Sequence, residues 1–95
     1  MIIVWSDEAL NDLSDLRAYI TKDNPQAAKK MALTIIDTVE TLLAEHTEIA
    51  RPGRVSGTRE LVIPRSPYVV PFRIRSGTVQ ILRVYHAARR WPDRF

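Results

Sequence analysis

Cysteine is absent from this 95-residue chain. That excludes disulfide staples and thiolate metal sites, and it fits a reducing cytoplasm. Glycine is scarce as well. There are three, and none stands in a phosphate-cradling loop pattern. No apolar run approaches the roughly 20 residues that cross a bilayer, so no membrane association is expected. The opening Met1–Trp5 segment passes at once into Asp7 and Glu8, which is not the pattern of a secretory signal. The two histidines, His46 and His86, lie far apart without acidic neighbours in pairs, so neither a metal nor a cofactor is expected. Ser56, Ser66 and Ser76 lack the strand–turn–helix elbow that activates a nucleophilic serine.

The most uneven absence is lysine. Residues 51–95 contain ten arginines and no lysine, against two acids, Glu60 and Asp93; residues 1–50 carry four basic groups against nine acids. The halves therefore differ in sign, about −5 against +8, inside a net charge of +3. Either the halves neutralise each other within the fold, or the second half faces a polyanion or an acidic protein. Exclusive use of arginine favours the latter, because its planar fork grips phosphate or carboxylate bidentately.

A chain of this length supports one core, so residues 1–95 read as a single domain. Ile2–Trp5 is β-rich and apolar. Ser6 is a helix cap, and Asp7 and Glu8 complement the helix dipole in the first turn. Leu10, Leu13, Leu16 and Ile20 follow at helical spacing, with Asp12 and Asp15 on the other side. Asn24-Pro25 ends this helix and starts a second, which runs to about Glu45. Residues 46–57 lose all periodicity and contain Arg51-Pro52-Gly53-Arg54, which predicts an exposed loop. Strands are then predicted over Glu60–Ile63, Tyr68–Arg75 and Thr78–Tyr85, the last two joined by Ser76-Gly77. The order β-α-α-β-β-β gives an α+β fold with a helical hairpin on one face of a small antiparallel sheet.

With a two-residue turn at Ser76-Gly77, Ile74 faces Val79, Phe72 faces Ile81 and Val70 faces Arg83. That face lies under the helices. The opposite face then carries Arg73, Gln80, Leu82, Val84 and His86, which places Arg73 and His86 together. The chain closes on HAARRWPDRF, residues 86–95. Arginines with one histidine and a tyrosine or two can support a single metal-free chemistry, RNA cleavage by its own 2′-hydroxyl: Arg73, Arg89 and Arg90 would stabilise charge and His86 would pass protons. The bland alternatives are that His86 caps the strand end and that Arg83 pairs with Asp37 or Glu40 of the second helix. Trp91-Pro92 reads as an apolar lid folded back on the sheet, with stacking on a base as the alternative.

The stretches GTRELVIPRSPYVVPFRI (Gly57–Ile74) and VQILRVYHAARRWP (Val79–Pro92), with WSDEALNDLSDLRAYITKDNPQAAKK (Trp5–Lys30) before them, resemble the RelE/ParE superfamily of toxins from bacterial type II toxin–antitoxin modules. The resemblance implies the same β-α-α-β-β-β fold and a cognate antitoxin whose acidic or amphipathic segment wraps the arginine-rich half. It implies one of two targets: DNA gyrase, inhibited by ParE-like members, or messenger RNA on the ribosome, cleaved by RelE-like endoribonucleases. PYVVPFRI looks closer to the ParE-like group. Carried over by position, Arg51 and Arg54 stand for loop cations, Arg73 for the mid-sheet arginine, and Arg89 or Arg90 for the one after the final strand. Lysine is missing from the loop and no tyrosine follows Arg90, although Tyr85 precedes His86. The expected contact set for target or antitoxin is therefore Arg51, Arg54, Arg65, Arg73, Tyr85, Arg89, Arg90 and Arg94. A nucleic-acid-binding module without toxicity remains a third reading of the basic tail.

Overall fold

Two helices and a six-stranded sheet make up the computed structural model, which describes residues 1–95. The strands are β1 (Ile2–Trp5), β2 (Arg51–Pro52), β3 (Arg59–Val62), β4 (Tyr68–Arg75), β5 (Thr78–Ile81) and β6 (Tyr85–His86); the helices are α1 (Asp7–Thr21) and α2 (Pro25–Leu43). Ser6 caps α1 by accepting from the Ala9 amide at 3.0 Å, and Asn24 caps α2 by accepting from Ala27 at 3.1 Å. Pro25 occupies the first turn of α2, where its missing N–H costs nothing.

The sheet order is β1-β5-β4-β3-β2, with β6 also pairing to β4. β3, β4 and β5 form the expected antiparallel meander. β1 adds to β5 in parallel, with Ile3 opposite Val79, so the whole sheet is mixed. The parallel register follows from the chain path. β1 runs straight into α1, and Ser6 holds that junction by donating from its amide to Ile81 O and from its hydroxyl to Leu82 O. One face of the sheet carries Val70, Phe72, Val79 and Ile81, all fully buried against Leu13 and Leu16 of α1 and Ile35, Val39 and Leu43 of α2.

The Ser76-Gly77 turn has both residues at positive φ, 51° and 73°. That is the backbone a two-residue hairpin turn demands, and it fixes the register from Arg75–Thr78 to Phe72–Ile81 as the sequence predicts. Beyond Ile81 the register changes. Val69 pairs with Tyr85 and Tyr68 with His86, so three residues, 82–84, oppose two, Val70 and Pro71. The extra residue is a β-bulge, and it exchanges the faces beyond it. The continuous strand expected over Thr78–Tyr85 is thus two strands, and Val70 does not face Arg83. Val84 turns into the core and Tyr85 turns to the second face. His86, expected beside Arg73, lies instead with Tyr68 on the face turned toward α1.

The segment 46–57 is also more ordered than an exposed loop. It holds a short 3-10 turn (Thr47–Ile49), strand β2, and Val55 at 4% exposure. Gly53 closes it by donating to Thr58 O at 2.8 Å, packed so tightly that a Cβ there would meet the Thr58 backbone at 2.7 Å.

Candidate functional site

The second face of the sheet is where the arginine-rich half gathers. Its floor is Val69, Pro71 and Tyr85, all buried, together with Glu60, which pairs across β3–β4 with Pro71. The C-terminal segment folds back over this floor. Trp91 meets the Tyr85 ring edge-on at 5.1 Å between centroids, and Phe95 lies 6.1 Å from it. Trp91 is therefore the lid its apolar bulk predicts, and its indole N–H is buried without a protein acceptor.

The chain has two buried charged side chains, Glu60 and Asp12, and both end on arginines of this region. Glu60 accepts from Arg51 Nε at 3.1 Å and Nη2 at 3.0 Å, and from the Arg54 amide at 2.6 Å; Arg54 Nε is 3.6 Å away. Burying a carboxylate is costly unless it is paired, and β2 exists to supply the pair, with Arg51 opposite Glu60 in register. Asp12, on α1, takes Arg83 bidentately, Nε and Nη2 both at 2.8 Å, and also accepts from the Val84 amide at 2.9 Å. This corrects two expectations. The partner of Arg83 is neither Asp37 nor Glu40, and Asp12 is not on a solvent face. Glu40 instead accepts from the Trp5 indole at 2.9 Å. The hydrogen bonds that Arg83 donates to Asp12 raise its pKa above its usual value.

Arginines stack on the aromatic side chains. Arg54 lies 4.1 Å above Trp91, while Arg83 and Arg89 lie 4.7 and 4.3 Å from the Tyr85 ring centroid. Arg83, Arg89, Arg90 and Arg94 line one cleft beside Tyr85 and Trp91. A second cleft of about 410 Å³ adjoins it through Arg83 and Phe95 and is lined by Arg73, Glu8 and the edge strand's Val4. Arg73 donates to Gln80 at 2.9 Å across β4–β5. Arg89, Arg90, Arg94 and Arg73 make no ion pair, so their guanidinium donors, apart from the Arg73 Nε, are open to a partner. Arg51 and Arg54, expected as loop cations, are already committed to Glu60. Arg65 stands apart in the β3–β4 turn at a φ of 59°, exposed.

His86 does not join this group. Its ring meets Tyr68 edge-on at 5.9 Å, and its Nδ1 accepts from the Ala88 amide at 3.1 Å, a local strand-end cap. Burial raises the Tyr68 pKa, with Tyr19 adding to the shift. The second face thus collects arginines and aromatics but no histidine, and Glu8 lines its adjoining cleft beside Arg73 and Arg83. It can bind an anion.

A family model described as the ParE toxin of the type II toxin–antitoxin system, parDE, matches residues 3–91. The chain belongs to the ParE toxin family. It is the toxin component of a type II toxin–antitoxin module, and its family gives it an antitoxin partner. Among relatives, "Putative toxin Y4kP" of Sinorhizobium fredii is 46% identical over 91 residues, covering 96% of this chain and 93% of that one. Toxin RelE2 of Caulobacter vibrioides is 39% identical over 87 residues, covering 92% and 96%. Among solved structures, the chromosomal ParDE system of P. aeruginosa superposes with a TM-score of 0.80 at 32% identity, covering 90% of this chain and 95% of that one. The RelBE2 toxin–antitoxin complex of Mycobacterium tuberculosis, at 24% identity and a TM-score of 0.63, shares the fold over the same coverage. No helix of this ParE-family toxin is long and apolar enough to cross a membrane.

Proposed function

We propose that this toxin acts by binding rather than by catalysis, and that its target is DNA gyrase in the cytoplasm. The observation that carries this reading is the bulge at residues 82–84. It puts Tyr85 among the arginines and turns His86 to the other face. Cleavage of RNA through its 2′-hydroxyl needs a proton acceptor and donor beside the charge-stabilising cations. Arg73, Arg89, Arg90 and Arg94 have no histidine beside them, and the phenol among them, Tyr85, is buried; as a contact surface they offer guanidinium donors around aromatic anchors, residue types enriched at protein interfaces. The match to the ParE toxin family supports gyrase as that target.

The RelE-like reading, a ribosome-dependent endoribonuclease without a metal, is the alternative. One experiment separates the two. The purified toxin is added to a DNA supercoiling assay with gyrase, and messenger RNA from induced cells is mapped by primer extension. Inhibited supercoiling with intact messages supports the proposal. New cleavage sites within reading frames, with supercoiling unaffected, refute it.

A further inference from the structure

The two buried carboxylates stand at opposite ends of one continuous stack. From Glu60 the path runs through Arg54 to Trp91, then Tyr85, then Arg83, and ends on Asp12, with successive contacts of 3.6, 4.1, 5.1, 4.7 and 2.8 Å. Arg89 branches from the middle, held 4.3 Å over Tyr85 and paired with no acid. Arg54 also donates from Nη1 to Ala87 O at 3.4 Å, which ties the 51–58 segment to the start of the tail.

We propose that Glu60 and Asp12 are positioning residues, which act through this ladder of stacked guanidinium and aromatic groups to hold Arg89 ready for an acidic protein partner. The inference rests on the binding reading of the same surface. Its physical basis is the ordering cost of a long side chain. An arginine on a free tail loses rotamer and backbone freedom when it binds. Here part of that cost is already met, because Arg89 is stacked on the Tyr85 ring. Each end of the ladder rests on a buried carboxylate, Glu60 or Asp12, and the inner contacts are two cations over aromatic faces with one edge-on contact between Trp91 and Tyr85. Arg54 and Arg83 are spent on the scaffold, and Arg89 is what the scaffold presents. A protein carboxylate fits this best, because the tail's open donors are planar forks set among apolar rings rather than a strip tracking a backbone.

The test uses a Trp5→Phe background, which leaves Trp91 as the only tryptophan of the two in the chain, in the intact toxin purified with its antitoxin to secure folding. In Glu60→Gln the ladder loses its anchor. Acrylamide quenching of Trp91 should rise, and growth arrest should need about tenfold more toxin, the size of one lost charge-assisted contact. Arg54→Lys keeps the charge but not the planar stack, and should reproduce both effects. The double variant should be no worse than either single one, because both break the same link. Should Glu60→Gln fail to accumulate, Arg54→Met tests that link while leaving Glu60 paired with Arg51. Unchanged quenching in Glu60→Gln overturns the proposal. So does raised quenching with full toxicity, additive loss in the double variant, or displacement of the partner by DNA but not by an acidic peptide. Full toxicity of a folded Arg89→Ala/Arg90→Ala toxin sinks the functional reading instead, while the quenching result still judges the ladder.

Discussion

Replacing Asp12 with alanine should be among the most destabilising single changes in this protein, although aspartate on a helix in an acidic half looks dispensable. Three contacts go at once. The Val84 amide, buried at the bulge, loses its acceptor, which costs about 1–3 kcal/mol. Arg83 loses a bidentate partner. Breaking a fully buried pair costs roughly 3–5 kcal/mol, but the Arg83 side chain is 25% exposed, so about half of that applies once water screens the stranded charge. The expected total is about 4 kcal/mol, a large share of the roughly 5–10 kcal/mol that holds a domain of this size. Melting should fall by on the order of 16–32 °C. Asp12→Asn keeps an oxygen for Val84 and should lose about half as much. Adding Arg83→Met to Asp12→Ala removes the stranded charge and should recover about 1 kcal/mol. Urea unfolding of the free toxin measures all three. If Asp12→Ala lies within 0.5 kcal/mol of the parent, or if Arg83→Met makes it worse, the account of the bulge is wrong.

Gly53→Ala should destabilise the 51–58 segment by about 2 kcal/mol, because its Cβ would press on the Thr58 backbone at 2.7 Å; proteolytic nicking between residues 51 and 58 would report it. Trp91→Ala removes half-buried rather than fully buried surface, so about 2–3 kcal/mol is expected in the same urea assay, below the full core cost. Tyr68 holds its proton more tightly in the folded state than unfolded. Its stabilising contribution is therefore complete below pH 10 and is lost as pH rises through the raised folded value. Melting temperature should fall above pH 10, and Tyr68→Phe should lessen that fall. One of the three tyrosines should ionise late in ultraviolet titration.

Much of this fold is legible in the sequence because local chemistry and global packing agree. Ser6, Asn24 and Pro25 mark both helices, and Ser76-Gly77 sets the hairpin register as far as Ile81. The bulge is not legible. Leu82, Arg83 and Val84 continue a plausible alternation, and what shifts them is a contact with Asp12, some 70 positions earlier. That single slip misplaced His86 beside Arg73. Glu60 was hidden for a related reason. It alternates outward from the helix-facing core as a surface residue would, but the tail covers that face. A signal was available: in a half with ten arginines, it is the one acid inside a strand. The clustering of arginines with Tyr85 and Trp91 on one face is legible as a composition, but not as a division of labour. Nothing local says that Arg51, Arg54 and Arg83 are held by buried acids while Arg89, Arg90 and Arg94 stay open.

The central claim is that the tail binds and does not catalyse. Growth arrest after induction of His86→Gln, compared with Arg89→Ala/Arg90→Ala, tests it most directly, with equal amounts of soluble toxin confirmed and relief by the antitoxin as control. The account predicts full arrest with His86→Gln. With the double arginine variant it predicts arrest weakened about ten- to a hundredfold in the toxin level required, from the loss of charge-assisted contacts worth roughly 1.5–3 kcal/mol. Loss of arrest with His86→Gln, while the double arginine variant still arrests growth, would contradict it.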